Sequence, residues 1–175
     1  MATPLAFAAA VLDRLGLSRT ENRLVGLVAF VAIEGGHWHD SARFNPLNTM
    51  KSAPGATQAP GLLTGIKSYP DWQTGINATA ATIVQSNMHS IAQALKDDVD
   101  PRSFLRAVTQ SAWCPGCDYT PFDPYALYKA KANENDSSAL AYSASGTNWK
   151  TVAVVGGIFA GAGAAVWWVK KRFLR

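Results

Sequence analysis

Residues 24–33 form an almost uninterrupted apolar run, and Glu34-Gly35-Gly36 follow it at once. Ser18 and Glu21 stand upstream at the Ser-x-x-Glu spacing of a capping box, which predicts a helix start there. Leu24, Val25, Leu27, Val28, Phe30, Val31 and Ile33 would then lie on nearly every side of that helix. A helix without a polar face has to be enclosed by other elements, so the segment predicts a buried central helix. The two glycines should end it, leaving Glu34 at its last turn.

The surrounding sequence supplies elements to enclose it. Residues 5–15 read as an Ala-rich amphipathic helix stopped by Gly16. Residues 37–70 are broken by Asn, Pro, Gly, Ser and Thr and predict loop, with short strands around 62–69. Pro70 fits a first helical position, and Trp72, Ile76, Thr79, Ile83 and Val84 continue at helical spacing. A further helix is expected over 89–96. Asp100-Pro101 and Asp123-Pro124 each pair an N-cap residue with a proline at the first helical position, opening two more. The expected fold class is mainly α, with a short β/loop region, over residues 1–132. Residues 133–149 are rich in Ser, Ala, Asn and Gly and read as a flexible linker.

Residues 151–169 carry no charge, and Lys170, Lys171 and Arg172 follow directly. A helix over that stretch would span about 28 Å, close to the hydrocarbon thickness of a bilayer. Trp149, Trp167 and Trp168 flank it, where indole rings favour the interface. The expectation is a single C-terminal transmembrane helix within residues 150–175, its basic end facing a cytoplasm and the helical domain on the other side. Gly157 and Gly161 offer a small-residue face for pairing with a second copy. The N-terminus lacks the basic start and long apolar stretch of a secretory signal. Net charge is +4, part of it in the basic tail. With no basic stripe interleaved with aromatics, no nucleic-acid partner is expected.

Cys114 and Cys117 enclose Pro115-Gly116. A local disulfide, a pair of inert thiols, half a zinc site completed by His37 and His39, and a redox motif all fit that spacing. The flanks have no strand pattern of a thioredoxin-like unit, and His-x-His is not the usual second zinc pair, so the loop reading leads. No metal and no cofactor are expected.

Glu34 is the candidate catalytic residue. Apolar neighbours would penalise its ionised form, and so would the negative end of the helix dipole. A carboxylic acid kept neutral near pH 7 is what protonation of a glycosidic oxygen requires, and lysozyme is the worked example of that tuning. His37, Trp38 and His39 follow closely and could line a groove, although exposed loop positions would suit them equally.

Ala32-Ile33-Glu34-Gly35-Gly36, followed by Asn45-Pro46-Leu47-Asn48-Thr49, resembles the lysozyme-like domains of the transglycosylase and muramidase superfamily, especially those of phage and actinobacterial proteins. Gly65-Ile66-Lys67-Ser68-Tyr69-Pro70-Asp71-Trp72 is similar to a Gly-aliphatic-x-x-Tyr-x-x-Trp stretch of such domains, and Ser111-Ala112-Trp113 echoes a later Ser-Pro-Trp-Gly segment, with Ala112 and Cys114 departing from it. The resemblance covers residues 20–119. It implies a helical lysozyme fold with a glycan groove, Glu34 as acid, and Asn45, Asn48 and Thr49 across the groove. It places Tyr69 near the cleavage point and Trp72 as a substrate contact. Peptidoglycan glycan strands would be the substrate.

A carboxylate pair is the usual glycosidase arrangement, and Asp40 and Asp71 are the candidates for the second member. Neither has a strong setting, since Asp71 serves equally well as a first-turn charge. The expected reaction is therefore single-acid cleavage assisted by the sugar's N-acetyl group, as in lytic transglycosylases. The expected role is local opening of the cell wall by a membrane-anchored, virion-associated enzyme of a bacteriophage, or by one of the bacterial envelope. The alternative is a structural virion or tail protein that keeps the fold for wall binding or assembly without cleavage. Other virion proteins are then candidate partners.

Overall fold

The computed structural model describes residues 3–134. The transmembrane helix expected within 150–175, and all but the start of the linker at 133–149, lie outside the described residues. Among the described residues no helix is long and apolar enough to cross a membrane.

Seven helices enclose one main core. α1 (Pro4–Leu15) starts where Thr3 accepts a hydrogen bond from the Ala6 amide and stops at Gly16, in the left-handed conformation at φ 71°. α2 (Glu21–Glu34) is the central helix, with Val25, Leu27, Val28, Ala29 and Phe30 all buried. α1, α6 (Pro101–Thr109) and α7 (Pro124–Lys131) pack around it. α4 (Trp72–Ile83) packs on α1, and α5 (His89–Lys96) on α4 and α6. A 3-10 turn, Ser86–Met88, leads into α5.

The start of α2 differs from the capping-box expectation. Thr20, in extended conformation, is the cap and accepts from the Arg23 amide, while the Ser18 hydroxyl accepts from the Arg23 guanidinium. The remaining Arg23 N–H groups bond the Ser18, Leu95 and Lys96 carbonyls at 2.6–3.1 Å. One buried side chain from α2 thus satisfies carbonyls at the end of α5, groups that a helix terminus otherwise leaves without partners.

Gly35 ends α2 at φ 72°, but the helical path resumes immediately as a single turn, α3 (Gly36–His39). That turn corrects the loop expectation for His37 and Trp38, which are buried while His39 is exposed. His37 Nδ1 accepts from the Phe44 amide at 2.8 Å, and both residues join an aromatic cluster with Phe7, Phe44 and Trp72. A Cβ on Gly36 would lie 2.1 Å from the Asn45 carbonyl oxygen, and one on Gly75 would lie 1.9 Å from that of Phe44. The loop after α3 therefore sits directly on the backbone of two glycines.

The β region is a two-residue antiparallel pair, β1 (Thr57–Gln58) and β2 (Lys67–Ser68), with Thr57 opposite Ser68. β2 falls within the segment expected to hold strands, whereas its partner lies upstream of it. Ala42, Ala59 and Ile66 form a small second core under this hairpin. Pro70 is not at a first helical position. Asp71 caps α4 by accepting from the Thr74 amide at 2.7 Å, so the helix begins at Trp72. Asp100 and Asp123 cap α6 and α7 as the Asp-Pro pairs predict. Cys114 and Cys117 are joined in a disulfide within the loop between α6 and α7. Among the described residues no group of three or more His, Cys, Asp or Glu side chains could hold a metal ion.

Candidate active site

Glu34 is the last residue of α2 and is half-buried. Its Oε1 accepts a hydrogen bond of 2.5 Å from the Tyr119 hydroxyl, which arrives from the loop between α6 and α7. Tyr119 is itself fixed. Its amide donates to Thr109 Oγ1 at 3.1 Å, and its ring meets Phe30 edge to face at 5.8 Å. Burial pushes the Tyr119 phenol far above its ordinary pKa, and the charge and hydrogen bond of Glu34 push it the same way. The phenol is therefore a permanent donor over any working pH. A carboxyl held in one orientation by such a donor can present a proton at a fixed place.

A cleft of about 570 Å³, within the size range of small-ligand sites, has neither Glu34 nor Tyr119 in its lining. Residues 48–52 form one wall, and Thr82, Gln85, Asn87 and Met88, with Ala112 and Trp113, line the remainder. Asn48 ties the cleft to the end of α2. From the left-handed conformation at φ 53°, its Nδ2 donates to the Glu34 carbonyl and to Asp40 Oδ2, both at 3.1 Å. Trp113 is tied to the same helix, its ring packed edge to face on Phe30 at 5.0 Å.

The structure brings some of the expected site residues together and separates others. Asn48 and Thr49 line the cleft, with Glu34 bonded through its carbonyl to the first of them. Tyr69 stands behind the wall. It is buried, its hydroxyl donates to the Lys51 carbonyl at 2.8 Å, and the same oxygen lies 2.7 Å from Thr49 Oγ1. Burial raises the pKa of this phenol too. Tyr69 thus props the segment 48–52 that forms one wall of the cleft.

Asn45 does not lie across the groove. It is fully buried, its Nδ2 donates to the Thr49 and Lys67 carbonyls, and its Oδ1 accepts from the Thr49 amide. Those bonds hold the loop to itself and to β2. Trp72 is likewise a packing residue, 4.5 Å from the ring of His37 and 5.6 Å from that of Trp38. Both second-carboxylate candidates serve backbone geometry. Asp71 is the exposed cap of α4, and Asp40 closes a turn by accepting from the Ala42 amide while also accepting from Asn48.

Tyr119 was not singled out by the sequence, and neither was the role of Trp113 in the cleft lining. Both sit in the segment around Cys114 and Cys117, whose irregular composition has no periodicity to reveal which side chains turn inward. The weak echo in Ser111-Ala112-Trp113 was the one available signal for Trp113. Comparison with protein-family models, with curated proteins and with solved structures finds no match for the chain.

Proposed function

We propose that this domain cleaves peptidoglycan glycan strands, with Glu34 as the general acid. The observation that carries the reading is the Tyr119–Glu34 hydrogen bond at the end of a buried helix, whose terminal carbonyl accepts from Asn48, a residue lining a cleft of ligand size. The helix terminus and the half-buried setting favour the neutral acid, whereas a donated hydroxyl favours the carboxylate.

Asp40 and Asp71 are both engaged with backbone amides. That engagement supports single-acid cleavage, in which the substrate's own N-acetyl oxygen attacks the anomeric carbon as Glu34 protonates the departing sugar. The Glu34 carboxylate left by that step would then take the proton of the same sugar's C6 hydroxyl, whose oxygen displaces the N-acetyl oxygen at the anomeric carbon and leaves the 1,6-anhydro end of a lytic transglycosylase product. Residues 151–169 would hold the enzyme on a bilayer, confining cleavage to the wall nearby, as suits a virion-borne enzyme opening a path for viral DNA.

Zymography on purified cell wall tests the reading. The wild-type chain clears the wall, Glu34→Gln abolishes clearing, and mass analysis of the products reveals anhydro ends. Absence of clearing by folded wild-type protein overturns it, and wall binding without clearing would assign the non-catalytic virion role instead.

A further inference from the structure

Among the described residues the cleft lining carries a single charge. Asn48, Thr49, Ser52, Gln85 and Asn87 present neutral polar groups, Trp113 an aromatic face, and Lys51 a cation, with no carboxylate among the lining residues. Lys51 is exposed, and among the described residues no carboxylate forms an ion pair with it. Its main chain is nonetheless fixed, because its carbonyl is held by the buried Tyr69 hydroxyl that also bonds Thr49. The ammonium therefore springs from a set point on the wall while remaining in water.

This charge has a chemical consequence for the substrate class. N-acetylglucosamine and N-acetylmuramic acid share the N-acetyl group and nearly all their hydroxyls, so neutral amides, hydroxyls and an indole face bind both alike. What distinguishes the muramic sugar is its lactyl ether, whose carboxyl is free or extended by an acidic stem peptide. Among the described residues lining the cleft, Lys51 is the one cation that can pair with a negative charge.

We propose that Lys51 is a specificity-determining residue that pairs with a carboxylate borne by the glycan, so that the cleft prefers muramic-acid-containing strands over neutral N-acetylglucosamine polymers. The proposal rests on the glycan-cleaving reading and adds the side chain that reads the muramic carboxylate. An exposed ion pair of this kind accounts for about a two- to fivefold preference and weakens as salt screens it.

Calorimetric titration of the full-length Glu34→Gln protein, which holds substrate without turning it over, provides the test. The two probes are a tetramer of N-acetylglucosamine and an alternating N-acetylglucosamine–N-acetylmuramic acid tetramer with free lactyl carboxyls. The muramic tetramer should bind about two- to fivefold tighter at low salt. Lys51→Met should abolish that preference without weakening the neutral tetramer, Lys51→Arg should keep it, and high salt should erase it. A preference that survives Lys51→Met, or equal binding of both probes by the parent protein, overturns the proposal. Zymography of the wild-type chain separates the two failures. Wall clearing with no Lys51-dependent preference sinks the specificity alone, whereas binding to neither probe together with no clearing sinks the glycan reading as well.

Discussion

Tyr119 and Glu34 stand 85 positions apart in the chain and meet through an Oη–Oε1 hydrogen bond of 2.5 Å. The bond joins the end of the central helix to the disulfide-bearing loop between α6 and α7. Because Tyr119 also packs on Phe30, the last turn of α2 and the loop are registered against each other by one side chain.

Tyr119→Phe should keep the ring on Phe30 and remove only the hydroxyl. Losing a hydrogen bond to a charged group destabilises by about 1.5–3 kcal/mol. Loss of the orienting contact should lower kcat on cell-wall substrate by roughly 10- to 100-fold. The carboxylate has then lost a donor, so the alkaline limb of the pH–rate profile should move to higher pH. Rates measured across pH 4–9, together with a denaturant melt of the same variant, separate positioning from simple unfolding. An unchanged profile would remove Tyr119 from the machinery.

Stability should fall in alkali. The pKa values of the Tyr69 and Tyr119 phenols are raised in the fold, mainly by burial. Below the ordinary tyrosine value of about 10, folded and unfolded chains hold the same phenolic protons and stability is level. Above it the unfolded chain loses protons that the folded chain keeps, so unfolding becomes progressively easier. Urea melts between pH 8 and 11 should show this decline, and Tyr119→Phe should make it shallower.

Gly75→Ala should be strongly destabilising although the position is helical. Its Cβ would collide with the Phe44 carbonyl oxygen at 1.9 Å, and backbone cannot step aside as a flexible side chain can. A loss of about 2–4 kcal/mol is expected in denaturant unfolding. Gly16→Ala meets no atom within 4 Å and suffers only its left-handed backbone, a penalty of about 1 kcal/mol. Equal effects at the two sites would contradict the close approach.

Arg23→Met should destabilise by about 3 kcal/mol, because the Leu95, Lys96 and Ser18 carbonyls lose their donors together. Arg23→Lys should recover only part, since an ammonium cannot match three carbonyls with a planar fork. Hydrogen exchange at the last turn of α5 should rise in both variants, more in the first.

The helical class, the burial of α2, its termination at Glu34 and the Asp-Pro starts of α6 and α7 were all readable from the chain. Each depends on contacts within a few residues, where periodicity and capping chemistry act directly. The Ser18 capping box failed because Thr20, in extended conformation, offered its hydroxyl to the Arg23 amide instead, leaving Ser18 to the Arg23 guanidinium. Asn45 and Asn48 show the limit most clearly. They are the same residue type in one short loop, yet one is sealed inside and the other lines the cleft. No local rule separates them, because which amide faces inward depends on how the loop settles onto Gly36 and Gly75. The partner of Glu34, the wall on which Lys51 stands and the place of Trp113 likewise arise from segments distant in sequence. Local chemistry wrote the helices and marked the candidate carboxyl at the end of one of them. Only the packing of remote segments, which no short window of sequence encodes, decided what surrounds it.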